Sequence, residues 1–121
     1  MKTILIVDDF ESSRSILGRA LESAGYAVIQ GESGEKALSQ LNGNLVDLVI
    51  TDLNMPNMDG ISLIKKIRCL KGYEFTPVIL LTANSKSESK QQLAKDAGAT
   101  AWVEKPFKVN ALLDNVKRLI R

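Results

Sequence analysis

Ile4-Leu5-Ile6-Val7-Asp8-Asp9 sets four apolar residues, three of them β-branched, directly before two acids. An unbroken apolar run of this length describes a strand buried on both faces, as in the middle of a parallel sheet covered by helices. It does not describe a secretory leader, because the acids end the run and no small-residue cleavage site follows.

Two further runs, Leu48 to Thr51 and Val78 to Thr82, have the same character, and Ala27 to Ile29 and Ala101 to Val103 are shorter versions. Between them lie apolar residues at helical spacing: Ile16, Leu17, Ala20, Leu21 and Ala24; Ala37, Leu38 and Leu41; Leu63, Ile64, Ile67 and Leu70; Leu112, Leu113, Val116, Leu119 and Ile120. The first helix is expected over Phe10 to Ala24. The fourth, from about Lys86 to Ala97, shows only Leu93, Ala94 and Ala97 and should be weakly anchored. Gly25, Gly43, Gly72 and Gly98 fall where helices should stop, Asp59 reads as an N-cap, and Ser85-Lys86-Ser87-Glu88 matches a capping box. The alternation predicts an α/β fold: a doubly wound (βα)5 unit around a five-stranded parallel sheet. The short second strand suits an edge. That placement fits the flavodoxin-like strand order 2-1-3-4-5, an order belonging to a known topology rather than dictated by these residues.

The 121 residues suit a single domain, 1–121, with no effector domain after the last helix. Sixteen basic and fourteen acidic residues are scattered, so direct nucleic-acid binding is not expected; Lys65, Lys66, Arg68 and Lys71 read as a solvated helix face. One cysteine, Cys69, allows no intrachain disulfide, and no apolar stretch reaches bilayer length; the expectation is a cytoplasmic monomer or weak dimer, away from membranes. Histidine is absent, which excludes histidine triads, ligands and bases and leaves carboxylates, hydroxyls and lysine.

In open parallel sheets the ligand site lies beyond the carboxyl ends of the strands. Here those ends carry Asp8-Asp9, Asp52, Thr82 and, after the fifth strand, Lys105-Pro106. Singly, each has a bland explanation: an acid pair caps a helix, an aspartate starts a turn, a lysine faces water. Their arrival at one edge is what those explanations leave out. Three carboxylates on neighbouring strands repel one another and call for a cation, and an all-oxygen site with few protein ligands suits Mg2+. The metal and Lys105 together could neutralise charge during phosphoryl transfer to a carboxylate, with Thr82 bonding a phosphoryl oxygen.

With Ile4 to Asp9, the segments Val49-Ile-Thr-Asp-Leu-Asn-Met-Pro-Asn-Met-Asp-Gly60, Pro77 to Ala83 and Ala97 to Phe107 make the whole chain resemble response-regulator receiver domains, especially stand-alone chemotaxis regulators of the CheY type. The resemblance implies a two-component signalling switch rather than an enzyme. Asp52 would take a phosphoryl group from a sensor histidine kinase or phosphotransfer protein; Asp9, Asp52 and the Asn54 carbonyl would ligate Mg2+, with Asp8 acting through water. It implies that Lys105, before a cis bond to Pro106, pairs with the phosphoryl group, that Thr82 and the ring at position 102 form the switch, and that Asn54 and Asn84 tune dephosphorylation. Most receivers carry Tyr or Phe at the ring position; this chain has Trp102, which equally fits an indole simply packed on an edge strand.

Output is expected through the face of the fourth helix, fifth strand and fifth helix, toward a downstream protein target. A phosphorelay intermediate passing phosphate to another histidine protein is the near alternative. An aspartyl-nucleophile phosphatase would want an acid where Asn54 stands, and a flavodoxin-like flavin site would find its phosphate repelled by the acidic mouth.

Overall fold

The computed structural model describes residues 1–83 and 88–120. The β-branched runs form β1 (Thr3–Val7), β2 (Ala27–Gly31), β3 (Leu48–Asp52), β4 (Val78–Thr82) and β5 (Ala101–Glu104). They alternate with α1 (Glu11–Ser23), α2 (Gly34–Gln40), α3 (Gly60–Arg68), α4 (Glu88–Ala97) and α5 (Val109–Leu119). All strand pairs are parallel and the order is β2-β1-β3-β4-β5, as expected, with β2 and β5 at the edges.

The unbroken apolar runs are explained by a core on each side of the sheet. Leu5, Val7, Val49, Val78 and Leu80 pack with Leu63, Ile64 and Ile67 of α3. Ile4, Ile6, Ile50 and Ile79 point the other way, onto Leu17 and Leu21 of α1 and Leu112 and Val116 of α5. Successive strand side chains alternate between faces, so a strand buried on both is apolar at nearly every position.

The four glycines expected at helix ends all adopt positive φ; at Gly98, directly after α4, φ is 104°. Asp59 caps α3, its Oδ1 accepting from the Ser62 N–H at 2.8 Å. Ser85, Lys86 and Ser87 of the expected capping box lie outside the described residues.

Several helical expectations need correction. Phe10 is not the first helical residue but the extended N-cap of α1, with φ −96° and ψ 119°. Ile16 is 68% exposed and Ala24 is exposed, so α1 buries Leu17, Gly18 and Leu21 instead of the wider stripe. Leu93 is also exposed, so the buried residues of α4 are Ala94 and Ala97. Arg68 does not share the solvated face of Lys65, Lys66 and Lys71. Its guanidinium turns inward and donates to the carbonyls of Tyr73, Thr76 and Gly98, tying the end of α3 to the end of α4. Burial lowers its pKa, but a guanidinium keeps its charge under any ordinary condition. Among the described residues no helix is long and apolar enough to cross a membrane.

Candidate functional site

Parallel register brings the carboxyl ends of the three central strands level, pairing Val7 with Thr51 and Asp52 with Leu81. The residues following β1 and ending β3 therefore meet. Oxygens of Asp8, Asp9 and Asp52 all lie within 4.8 Å of one another. Asp8 and Asp52 are buried and Asp9 is half-buried. From the far side, the Lys105 ammonium approaches Asp52 Oδ1 at 3.1 Å. The Lys105 backbone N–H donates to the Thr82 carbonyl at 2.7 Å, and the Lys105–Pro106 bond is cis, as expected.

Three carboxylates against one ammonium leave the cluster short of positive charge. Asp8 Oδ1 accepts the Phe10 N–H at 2.9 Å, but Asp9 Oδ1 is buried with no hydrogen-bond partner. An orphaned carboxylate oxygen beside two other acids fits a hard divalent cation, and the all-oxygen donor set matches Mg2+.

The Asp8 pKa is raised, first by burial and then by repulsion from Asp52 and Asp9, while the Phe10 N–H and Lys105 act in the opposite direction. A raised carboxyl pKa means that the folded state holds its proton longer than the unfolded state. The metal-free fold therefore loses stability as pH rises from the ordinary carboxylate range through the raised pKa. Asp8→Asn removes that loss and keeps an oxygen for the Phe10 N–H. Without metal at neutral pH it should be more stable than wild type, with the gap closing in acid. Urea titrations at several pH values, with and without Mg2+, check this, and Mg2+ should stabilise wild type more than the variant.

Thr82 is fully buried at the end of β4. Trp102 pairs in register with Leu80, so Leu80, Thr82 and Trp102 share the sheet face that α4 covers. The indole is half-buried, and its Nε1–H is buried with no acceptor. A groove of about 380 Å³ runs between α4 and β5, lined by Gln91, Ala94, Lys95 and Trp102. Trp102 thus lies half-buried on the edge strand β5. Asn54 is exposed two residues past Asp52, and Asn84 lies outside the described residues.

Sequence reasoning missed three supporting residues. Thr51, fully buried, donates its hydroxyl to the Asp52 carbonyl at 3.0 Å. Gly60 donates its N–H to the Leu53 carbonyl at 2.8 Å, and a Cβ there would lie 2.5 Å from the Asp52 carbonyl oxygen. Arg14 donates to the Asp8 carbonyl at 2.7 Å. It also missed an apolar groove of about 490 Å³ between α1 and α5, lined by Ile16, Leu17, Phe107 and Val109 together with Asp8 and Lys105. The available signal was Ile16 itself, an apolar residue at the margin of the α1 stripe.

Comparison with known proteins agrees with this geometry. Residues 4–117 match the response regulator receiver domain family. The chemotaxis protein CheY4 of Vibrio cholerae superposes with a TM-score of 0.94 at 38% identity, covering 99% of both chains. The response regulator TrrA of Thermotoga maritima, solved in complex with Mg2+ and BeF, gives 0.86 at 37% identity, covering 99% of this chain and 100% of that one. The sensory/regulatory protein RpfC of Xanthomonas campestris pv. campestris is 36% identical over 118 residues, 96% of this chain, which spans only 16% of that relative's length. With the sheet order, the acid cluster and the match over residues 4–117 in agreement, the chain belongs to the response regulator receiver domain family of two-component signalling.

Proposed function

We propose that the chain is a phosphorylation-controlled binding switch in which Asp52 accepts the phosphoryl group. The observation that carries this is the contact of Lys105 with Asp52 at 3.1 Å inside a cluster of three carboxylates. Receiver domains take phosphate from histidine kinases or phosphotransfer proteins, and the apolar α1–α5 groove beside Asp8 and Lys105 offers such a donor a seat next to the acceptor.

In the transfer, an Asp52 carboxylate oxygen attacks phosphorus in line while the phosphorus–nitrogen bond of the donor imidazole breaks, its electron pair staying on that nitrogen. Asp9, Asp52 and the Asn54 carbonyl would hold Mg2+, with Asp8 acting through water. The metal supplies positive charge against the phosphoryl oxygens. Lys105 leaves the carboxylate to bond a phosphoryl oxygen, and the Thr82 hydroxyl turns toward the same group. Trp102, on the same sheet face with an unspent N–H, then repacks under α4, whose buried residues are the small Ala94 and Ala97. That helix can shift at small cost, so the α4–β5–α5 face presents the output to a protein target.

The likeness to CheY4 favours a chemotaxis-type target. The likeness to RpfC, where the matching stretch is a small part of a long sensory/regulatory protein, favours a step in a phosphorelay instead. Mg2+ and acetyl phosphate added to wild type should add one phosphoryl mass to the intact protein and change Trp102 fluorescence. Asp52→Asn should show neither. Equal mass gain in wild type and Asp52→Asn would sink the proposal, whereas mass gain without a fluorescence change removes only the switching role of Trp102.

A further inference from the structure

The two acids that open the site, Asp8 and Asp9, sit on the turn between β1 and α1, and α1 begins without a side-chain cap. The turn is held by three bonds to Asp8. Its N–H donates to the Gly31 carbonyl at 3.2 Å, its Oδ1 accepts the Phe10 N–H at 2.9 Å, and its carbonyl accepts Arg14 Nη1 at 2.7 Å. Arg14 Nε also donates to Gln30 Oε1 at 3.2 Å, and Gln30 precedes Gly31 on β2. One guanidinium therefore joins α1 to the ends of β1 and β2 at the point where the acid pair leaves the sheet.

The choice of partners is informative. Arg14 spends these donors on a neutral carbonyl and a neutral amide, although a carboxylate belongs to the very residue whose carbonyl it bonds. A cation beside a cation site opposes metal binding by simple charge repulsion. Its presence there needs an offsetting role, and a planar fork that spans two fixed acceptors supplies one. We propose that Arg14 is a positioning residue for Mg2+: it fixes the Asp8 carbonyl and thereby the aim of the Asp8 and Asp9 carboxylates, with Gln30 setting the orientation of the guanidinium. This inference rests on the reading of the acid cluster as a Mg2+ site.

Charge and positioning make opposite predictions. If Arg14 acted only through charge, Arg14→Met would tighten Mg2+ binding. If it positions the acids, the same variant weakens binding, by about tenfold on the scale of other residues that orient metal ligands. Arg14→Lys keeps the charge and can reach only one acceptor, so its loss should be intermediate. Gln30→Leu changes no charge and acts one bond further from the acids than Arg14 does, so it should weaken Mg2+ only about two- to threefold, below the roughly tenfold scale of residues that orient metal ligands directly.

The test is calorimetric titration of each metal-free, folded variant with Mg2+, alongside urea unfolding. A merely structural Arg14 would lower the urea midpoint and leave Mg2+ affinity unmoved. Weakened binding in Arg14→Met and Gln30→Leu, with partial rescue in Arg14→Lys, is the result expected. Unchanged or tighter binding in Arg14→Met overturns the role of Arg14 while leaving the Mg2+ site intact. Should Arg14→Met fail to fold, unchanged affinity in Gln30→Leu overturns it equally. A wild type that binds no Mg2+ overturns the metal site itself, and this inference with it.

Discussion

Gly60→Ala is expected to destabilise the fold by about 3 kcal/mol, near the upper end of what overpacking a tight contact costs. A Cβ at this position would lie 2.5 Å from the Asp52 carbonyl oxygen, 2.7 Å from Leu80 Cδ1 and 3.0 Å from Leu53 Cα. Two of those neighbours are backbone atoms of β3 and the turn after it, so relief requires the start of α3 to move off the sheet rather than one side chain to rotate. The bond from the Gly60 N–H to the Leu53 carbonyl stretches in the same movement. Because Asp52 ends β3, the damage should reach the site. Urea unfolding followed by Trp102 fluorescence measures the first effect, and the phosphorylation rate of the remaining folded protein measures the second. Wild-type stability in Gly60→Ala would show that α3 packs less closely on Asp52 than described.

Lys105→Met should slow phosphorylation of Asp52 by about a hundredfold, the scale of losing one preorganised charged donor to a developing charge. The same substitution removes an ammonium 3.1 Å from Asp52 Oδ1, so Mg2+ should bind several-fold more tightly, about the effect of one like charge in a partly screened site. Opposite signs in two measurements on one variant distinguish loss of a specific contact from general damage, which would weaken both. Stopped-flow phosphorylation and a Mg2+ titration give the two readings.

Much of this architecture could be read from residue order because each central strand is nearly all apolar and stops at or just before a polar residue. Leu5 and Val7 face one core while Ile4 and Ile6 face the other, so a single four-residue run reports both layers. The site was legible for a related reason: parallel strands align their ends, and Asp8, Asp9, Asp52 and Thr82 are all at or just past a strand end. Lys105 followed from the same rule, one residue beyond β5.

What stayed hidden depended on neighbours that spacing does not name. Ile16 has the period of a buried residue, but it borders the groove between α1 and α5 rather than the core. Arg68 belongs by composition to a basic helix face, yet three backbone carbonyls from the α3–β4 connection and the end of α4 draw it inward. Arg14 looks like any helical arginine until β2 places Gln30 and the end of β1 places a carbonyl within its reach. Gly60 follows an N-cap, where glycine excites no notice, and only the packed fold shows that no Cβ fits against the Asp52 carbonyl. Each of these is a property of the meeting of two elements, and the period of one element carries no record of the other.

The most direct test of the whole account is the position of the phosphoryl group. Wild-type protein treated with Mg2+ and acetyl phosphate, then reduced with borohydride, converts an acyl phosphate on aspartate to homoserine, which peptide mass mapping can place. Homoserine is expected at position 52 and unmodified aspartate at positions 8 and 9. Homoserine at 8 or 9, or phosphate held on a serine or threonine with position 52 unchanged, would contradict it.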